Sequence, residues 1–224
     1  PAAVWVNLAA CALLTGSLSL LLMAGPPAGP AMRRWEGQLL AAARWLSVVA
    51  LLSNFAWLAV RTALFEGRPE AALEVDSIAR AMLDTWPGVV WMARQGLLLL
   101  LAAFLWLGGQ SPSHPDWIAA RGEAFLLSLL ALVLVGTSSH SAAISTDLWP
   151  RLVDMVHLLA AGIWVGGLPA LALLLRAAGR GDAAPDPQAV RTMRRFSAVA
   201  LVAVLALAAT GAATALLLVE DVAG

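Results

Sequence analysis

His140, Asp154 and His157 are the residues of this chain whose types and spacing could do chemistry. They fall within GTSSHSAAISTDLWPRLVDMVHLLAAGIWVGGLPALALLL, residues 136–175, one of the most apolar stretches of a strongly apolar sequence. The chain has three histidines in all, and two of them lie here, 17 positions apart. Ionisable or ligating side chains at membrane depth are costly and mark functional sites by default. Asp154 and His157 are three apart, so a helix carries both on one face, the spacing by which it offers two ligands to one ion. Two imidazoles and a carboxylate suit a borderline ion such as Cu(II) or Zn(II), whereas thioether or thiolate ligands would favour Cu(I). Met155, about 100° around the helix from Asp154, reads as packing rather than as a ligand.

The elements that must position these residues are helices in a bilayer. The chain is 61% hydrophobic and only 12% charged. Six apolar runs, near 3–24, 38–61, 87–108, 122–139, 151–175 and 195–219, are long enough to cross a roughly 30 Å hydrocarbon core. They are continuous rather than alternating, which predicts an all-α polytopic transmembrane bundle of about six spans, 1–224 forming a single domain, and not a barrel. Fourteen arginines and no lysine balance fourteen acids, so no basic surface for nucleic acid is expected. The lone cysteine, Cys11, excludes an internal disulfide.

Loop charge alternates. The 62–86 loop carries five acids against Arg68 and Arg80, while the 176–194 loop carries Arg176, Arg180, Arg191 and Arg194 against two acids. The positive-inside rule puts the first, third and fifth loops in the cytoplasm and both ends of this chain outside. His140 then stands at the outer end of the fourth span, and His157 lies roughly 10 Å below the outer start of the fifth, at about 1.5 Å per residue. Glu66–Ala81, with Leu73, Val75, Ile78 and Met82 at near-helical spacing, predicts a short interfacial helix on that outer side.

Other polar residues sit within the spans: Asn7, Asn54, Arg94 and Gln95. Arg94 cannot shed its charge, so a carboxylate partner is expected, Asp154 first and Asp84 second. Such an Arg–Asp pair serves either to hold helices together or to stand behind the ligands and orient them. Arg44 reads as snorkelling to the cytoplasmic face. Trp5, Trp57, Trp86 and Trp149 predict an outer aromatic belt, and Trp35, Trp106 and Trp117 an inner one. Trp164, near the face of Asp154 and His157, is placed to floor the site. His114, in SPSHPD, reads as a loop residue, and Gly162-xxx-Gly166 as a place of close helix approach.

Residues 136–211 resemble the copper resistance D (CopD) family of bacterial inner-membrane proteins. The resemblance rests on His140, on DMVHLLAAGIWVGGL (Asp154–Leu168), and on RRFSAVA (Arg194–Ala200) followed by Thr210-Gly211. The first three spans match that family only in hydropathy and order. The resemblance implies copper handling at the periplasmic face of the inner membrane, generally import, beside or fused to a periplasmic CopC-like copper-binding partner. It implicates His140 and His157, with Asp154 after them, as copper ligands. It also implies about eight spans where six are counted here, so further spans are expected outside this chain. No phosphate loop, aspartyl-phosphate motif, CPC triplet or nucleophile–base pair is present, so neither an enzyme nor an ATP-driven pump is expected. Two rivals stay open: a haem-binding membrane cytochrome, for which His140 and His157 would supply one bis-histidine pair, and a copper-delivery or assembly factor.

Overall fold

Backbone groups in hydrocarbon must be bonded internally, so apolar runs of this length fold as helices whose side chains choose the neighbours. The computed structural model describes residues 2–108, 114–136, 148–179 and 186–223, with side chains up to residue 215, leaving aside those of residues 114 and 115. Among them lie seven α-helices: α1 (Ala2–Ala24), α2 (Pro30–Glu66), α3 (Val75–Leu83), α4 (Trp86–Leu107), α5 (His114–Val133), α6 (Leu148–Ala178) and α7 (Pro187–Ala223), with a short 3-10 turn at Pro69–Ala72. No strand occurs among the described residues. The chain is an all-α polytopic bundle.

Five of these helices, α1, α2, α4, α6 and α7, are long and apolar enough to cross a membrane. The sixth long helix, α5, begins at His114, earlier than the apolar run at 122–139 and inside the expected loop. Its first turns carry Asp116, Arg121 and Glu123. Arg121 pairs with Glu36 of α2 at 3.0 Å, and Trp117 donates its indole N–H to the same carboxylate at 2.7 Å. Thus the polar start of α5 is matched by a polar start of α2.

Helix α1 is the centre. It packs on α6, α2 and α5, while α7 reaches the bundle mainly through α6. Small residues make this possible. A Cβ on Gly16 would overlap the backbone of Gly166 and Gly167, and one on Gly166 would overlap that of Ala12. The α1–α6 crossing is therefore backbone against backbone, as the Gly162-xxx-Gly166 spacing anticipates, and it brings dispersion contacts that larger residues would forbid.

Polar side chains staple the end where α1, α2 and α7 meet. Gln188 of α7 donates to the carbonyls of Ala24 and Pro26 and accepts from the N–H of Ala28, while Arg195 donates to Met23 O at 2.7 Å. Trp35, expected in an inner aromatic belt, is instead 1% exposed, with its N–H donated to Ala170 O of α6 at 3.0 Å. Arg44 does not simply snorkel. Its Nε donates to Leu105 O in the last turn of α4 at 2.8 Å, where the helix leaves carbonyls unpaired and favours a cation. Trp5, Trp86, Trp106 and Trp149 are largely exposed, as belt residues should be. At the opposite end, the short helix expected within 66–81 is α3, which begins only at Val75 and runs to Leu83 after the 3-10 turn at Pro69–Ala72. Leu73 before it and Val75 at its first position stand exposed, and Arg68, Arg80, Glu66 and Glu74 form an ion-pair network beside it.

Candidate functional site

Asp154 and His157 lie in the second and third turns of α6, both half-buried. The imidazole is oriented from α7. His157 Nδ1 is 2.9 Å from Thr210 Oγ1, and Thr210 Oγ1 is 2.7 Å from Ala206 O, one turn back on its own helix. A hydroxyl has one hydrogen, and in an apolar span it goes to the i−4 carbonyl. With the hydroxyl hydrogen on the Ala206 carbonyl, Thr210 is the acceptor for His157 in the tautomer that carries its proton on Nδ1, and in that tautomer Nε2 keeps its lone pair. This tautomer follows from the bonding network. Metal-binding imidazoles are held in the same way, by an acceptor on the other ring nitrogen.

The chain just beyond α5 closes on Asp154. A Cβ on Gly136 would lie 3.4 Å from Asp154 Cβ and 3.3 Å from Met155 Cγ, so the backbone after α5 reaches the start of α6 beside the carboxylate. Met155 packs there. Trp164, seven residues beyond His157, is partly buried and packs against the main core. His140 lies outside the described residues. Among the described residues no group of three or more His, Cys, Asp or Glu side chains comes together as a metal cage.

Arg94 builds a separate centre. It is fully buried, 0% exposed, in α4. The carboxylate expected for it, Asp154 or Asp84, is not its partner. Its Nε donates to Ala131 O of α5 at 2.9 Å, Nη1 to Asn54 Oδ1 of α2 at 3.0 Å, and Nη2 to Asn7 Oδ1 of α1 at 2.6 Å. Trp57 lies against it, guanidinium to ring centroid 5.4 Å. The partners are bonded in turn: Asn7 Nδ2 donates to Ala50 O and Ser53 Oγ, and Asn54 Nδ2 to Gln95 Oε1. Trp91 donates its N–H to Asn54 O at 2.8 Å.

A guanidinium spreads its charge over five N–H groups, so neutral amides and a carbonyl can solvate it without an anion. The principal packing partners of α4 are α2, α3 and α5 rather than α6. Arg94 therefore stands in the α1–α2–α4–α5 half, not as a direct partner of Asp154. The signal for this was in the sequence, since Asn7, Asn54 and Gln95 share the depth of Arg94. What the sequence lacked was the helix order that joins them. Thr210 was likewise visible only as part of a Thr-Gly motif.

Comparison with known proteins adds two matches. A family model described as copper resistance protein D-like, N-terminal domain, matches residues 1–149. Over 138 residues the chain is 35% identical to the copper transport protein CutJ of Bacillus subtilis (strain 168), taking in 60% of this chain and 24% of that protein. The match thus spans about a quarter of that relative's length. No solved structure matches. The family match takes in α1–α5, including the first three spans, which resemble the family only in hydropathy and order, and its range ends before Asp154 and His157.

Proposed function

The chain belongs to the copper resistance protein D-like family, and on that premise we propose that it takes up copper at the periplasmic face of a bacterial inner membrane. His157 is the anchor, Asp154 the carboxylate one turn away, and His140 the second imidazole. The cargo is a copper ion, and the donor set favours Cu(II). It acts as a binding and transport protein, not as an enzyme, and a periplasmic CopC-like protein is the partner that would hand copper over. Trp164 serves as packing behind the ligands rather than as a ligand.

The observation that carries this reading is the His157–Thr210 bond. A histidine acting only as glue between helices would spend both ring nitrogens on neighbouring helices. Here the Nδ1 bond is made, and among the described residues none occupies Nε2. The ring is also half-buried, which leaves a route to it. Electrostatics supports the same choice of half. Arg94 is a fixed positive charge sealed into the α1–α2–α4–α5 core, and a copper cation in that low-dielectric setting is repelled. The acidic loop between α2 and α4, against the arginine-rich one between α6 and α7, supports the outward orientation of the α6 start.

The test is copper bound by purified protein together with cellular copper accumulation, in wild type and in His157→Ala, His140→Ala and Asp154→Asn. Loss of bound copper and of accumulation in both histidine variants, with normal membrane insertion, is the expected result. Wild-type accumulation and bound metal in the double histidine variant would refute it. Because imidazole must be neutral to ligate, bound copper should also fall as the medium is acidified.

A further inference from the structure

A cleft of about 500 Å³ opens between the end of α2, α3 and the start of α4, lined among others by Trp57, Arg61, Phe65, Thr85, Pro87 and Trp91. Its walls are aromatic and aliphatic, and one cation stands in it. Arg61 is half-buried, and among the described residues no carboxylate pairs with it. Glu66 and Glu74 bond Arg80 and Arg68, and Asp84 is exposed. The guanidinium of Arg61 lies 5.4 Å from the Trp57 ring centroid, and that of Arg94 lies 5.4 Å from the same centroid. Trp57 therefore carries two cations, and neither is neutralised by a carboxylate among the described residues.

A half-buried guanidinium with no carboxylate partner among the described residues, set in an apolar cleft at the end of a transmembrane helix, calls for an anion joined to a hydrophobic body. We propose that this cleft binds an anionic phospholipid of the bilayer, its phosphate on Arg61 and its acyl chain along Phe65, Trp57 and Trp91. Purely apolar packing would not explain why the cation sits within an aromatic cleft when the ion-pair network of Glu66 and Glu74 is one helical turn or so away. Snorkelling alone would carry the guanidinium out to that network. The inference is independent of how copper is handled.

The test uses the full chain in neutral detergent, offered phosphatidylglycerol, phosphatidylcholine with the same acyl chains, or inorganic phosphate, with retained ligand read by native mass spectrometry. Phosphatidylglycerol should be held about fivefold more tightly than phosphatidylcholine, the factor expected for one basic residue on an anionic headgroup. Arg61→Gln should erase that preference, and Arg61→Lys should keep most of it. Equal retention of the two lipids, or a preference that survives Arg61→Gln, overturns the proposal. So does inorganic phosphate competing as well as the lipid, because the site would then take the phosphate group without the chain. Should Arg61→Gln fail to fold, brominated acyl chains supply the answer in the wild type. Stronger tryptophan quenching by brominated phosphatidylglycerol than by brominated phosphatidylcholine supports the site, and equal quenching refutes it.

Discussion

Arg94 and His157 are both polar residues inside apolar helices, yet their surroundings differ in one respect that separates a bolt from a site. Arg94 is fully buried and bonded through Nε, Nη1 and Nη2 to three other helices. His157 is half-buried and bonded through one nitrogen to one helix, with its other nitrogen turned to no described residue. The first arrangement uses charge to fix α1, α2, α4 and α5 in register. The second fixes a ring and leaves a lone pair over. Polar groups in membranes are often taken together as functional. Here the count of bonds each one completes distinguishes them.

The largest effect should come from breaking the Arg94 centre. Asn54→Leu removes an acceptor from a buried cation and the partner of Gln95, which should cost about 2–3 kcal/mol, in line with hydrogen bonds to charged groups. Thermal melts in detergent would show it, while bound copper per folded molecule should stay near wild type. If copper binding fell in parallel, the two centres would be one.

Thr210→Val makes the converse test, since it keeps the shape of the side chain and deletes the acceptor behind His157. Metal affinity should drop about 10–100-fold, the usual cost of losing such an orienting partner, with little change in the melting temperature. Unchanged affinity would show that the Nδ1 bond does not prepare the ring for a ligand.

A smaller change tests the bundle without touching either centre. Trp35→Phe deletes the bond to Ala170 O that ties α2 to α6. It should lower stability by about 1 kcal/mol, the net value of one buried hydrogen bond. Asn54→Leu and Thr210→Val should then keep their separate signatures on that background.

The smallest effect lies outside the membrane, where Arg68, and secondarily Ser77, hold the Glu74 carboxyl below the usual carboxylate range. A depressed folded value means that this contribution is complete at neutral pH and is lost as pH falls through the folded value. Hydrogen exchange across Val75–Leu83, corrected for its intrinsic pH dependence, should speed up in acid. Glu74→Gln should flatten that response.

The bundle was legible because a bilayer imposes it. Only continuous apolar runs of about 20 residues cross, and only as helices or barrels. Five of the six runs correspond to helices long and apolar enough to cross, α2 extending on both sides of its run from Pro30 to Glu66, and the sixth run to α5, which starts eight residues early and ends at Val133. The discrepancy at α5 has a specific cause: Arg121 and Trp117 find Glu36, which local hydropathy does not register.

The sequence by itself determined that Asp154 and His157 share a helix face, because three residues along α6 is a local distance that helical geometry sets alone. It determined too that Arg94 would need partners, since its charge cannot be removed. Only the tertiary structure decided who they are. Arg94 meets Asn7 across 87 positions, Trp35 meets Ala170 across 135, and His157 meets Thr210 across 53. Those pairings depend on which helix stands beside which. That order rests on the crossing of α1 and α6 at Gly16 and Gly166, where the absence of two side chains lets backbones touch.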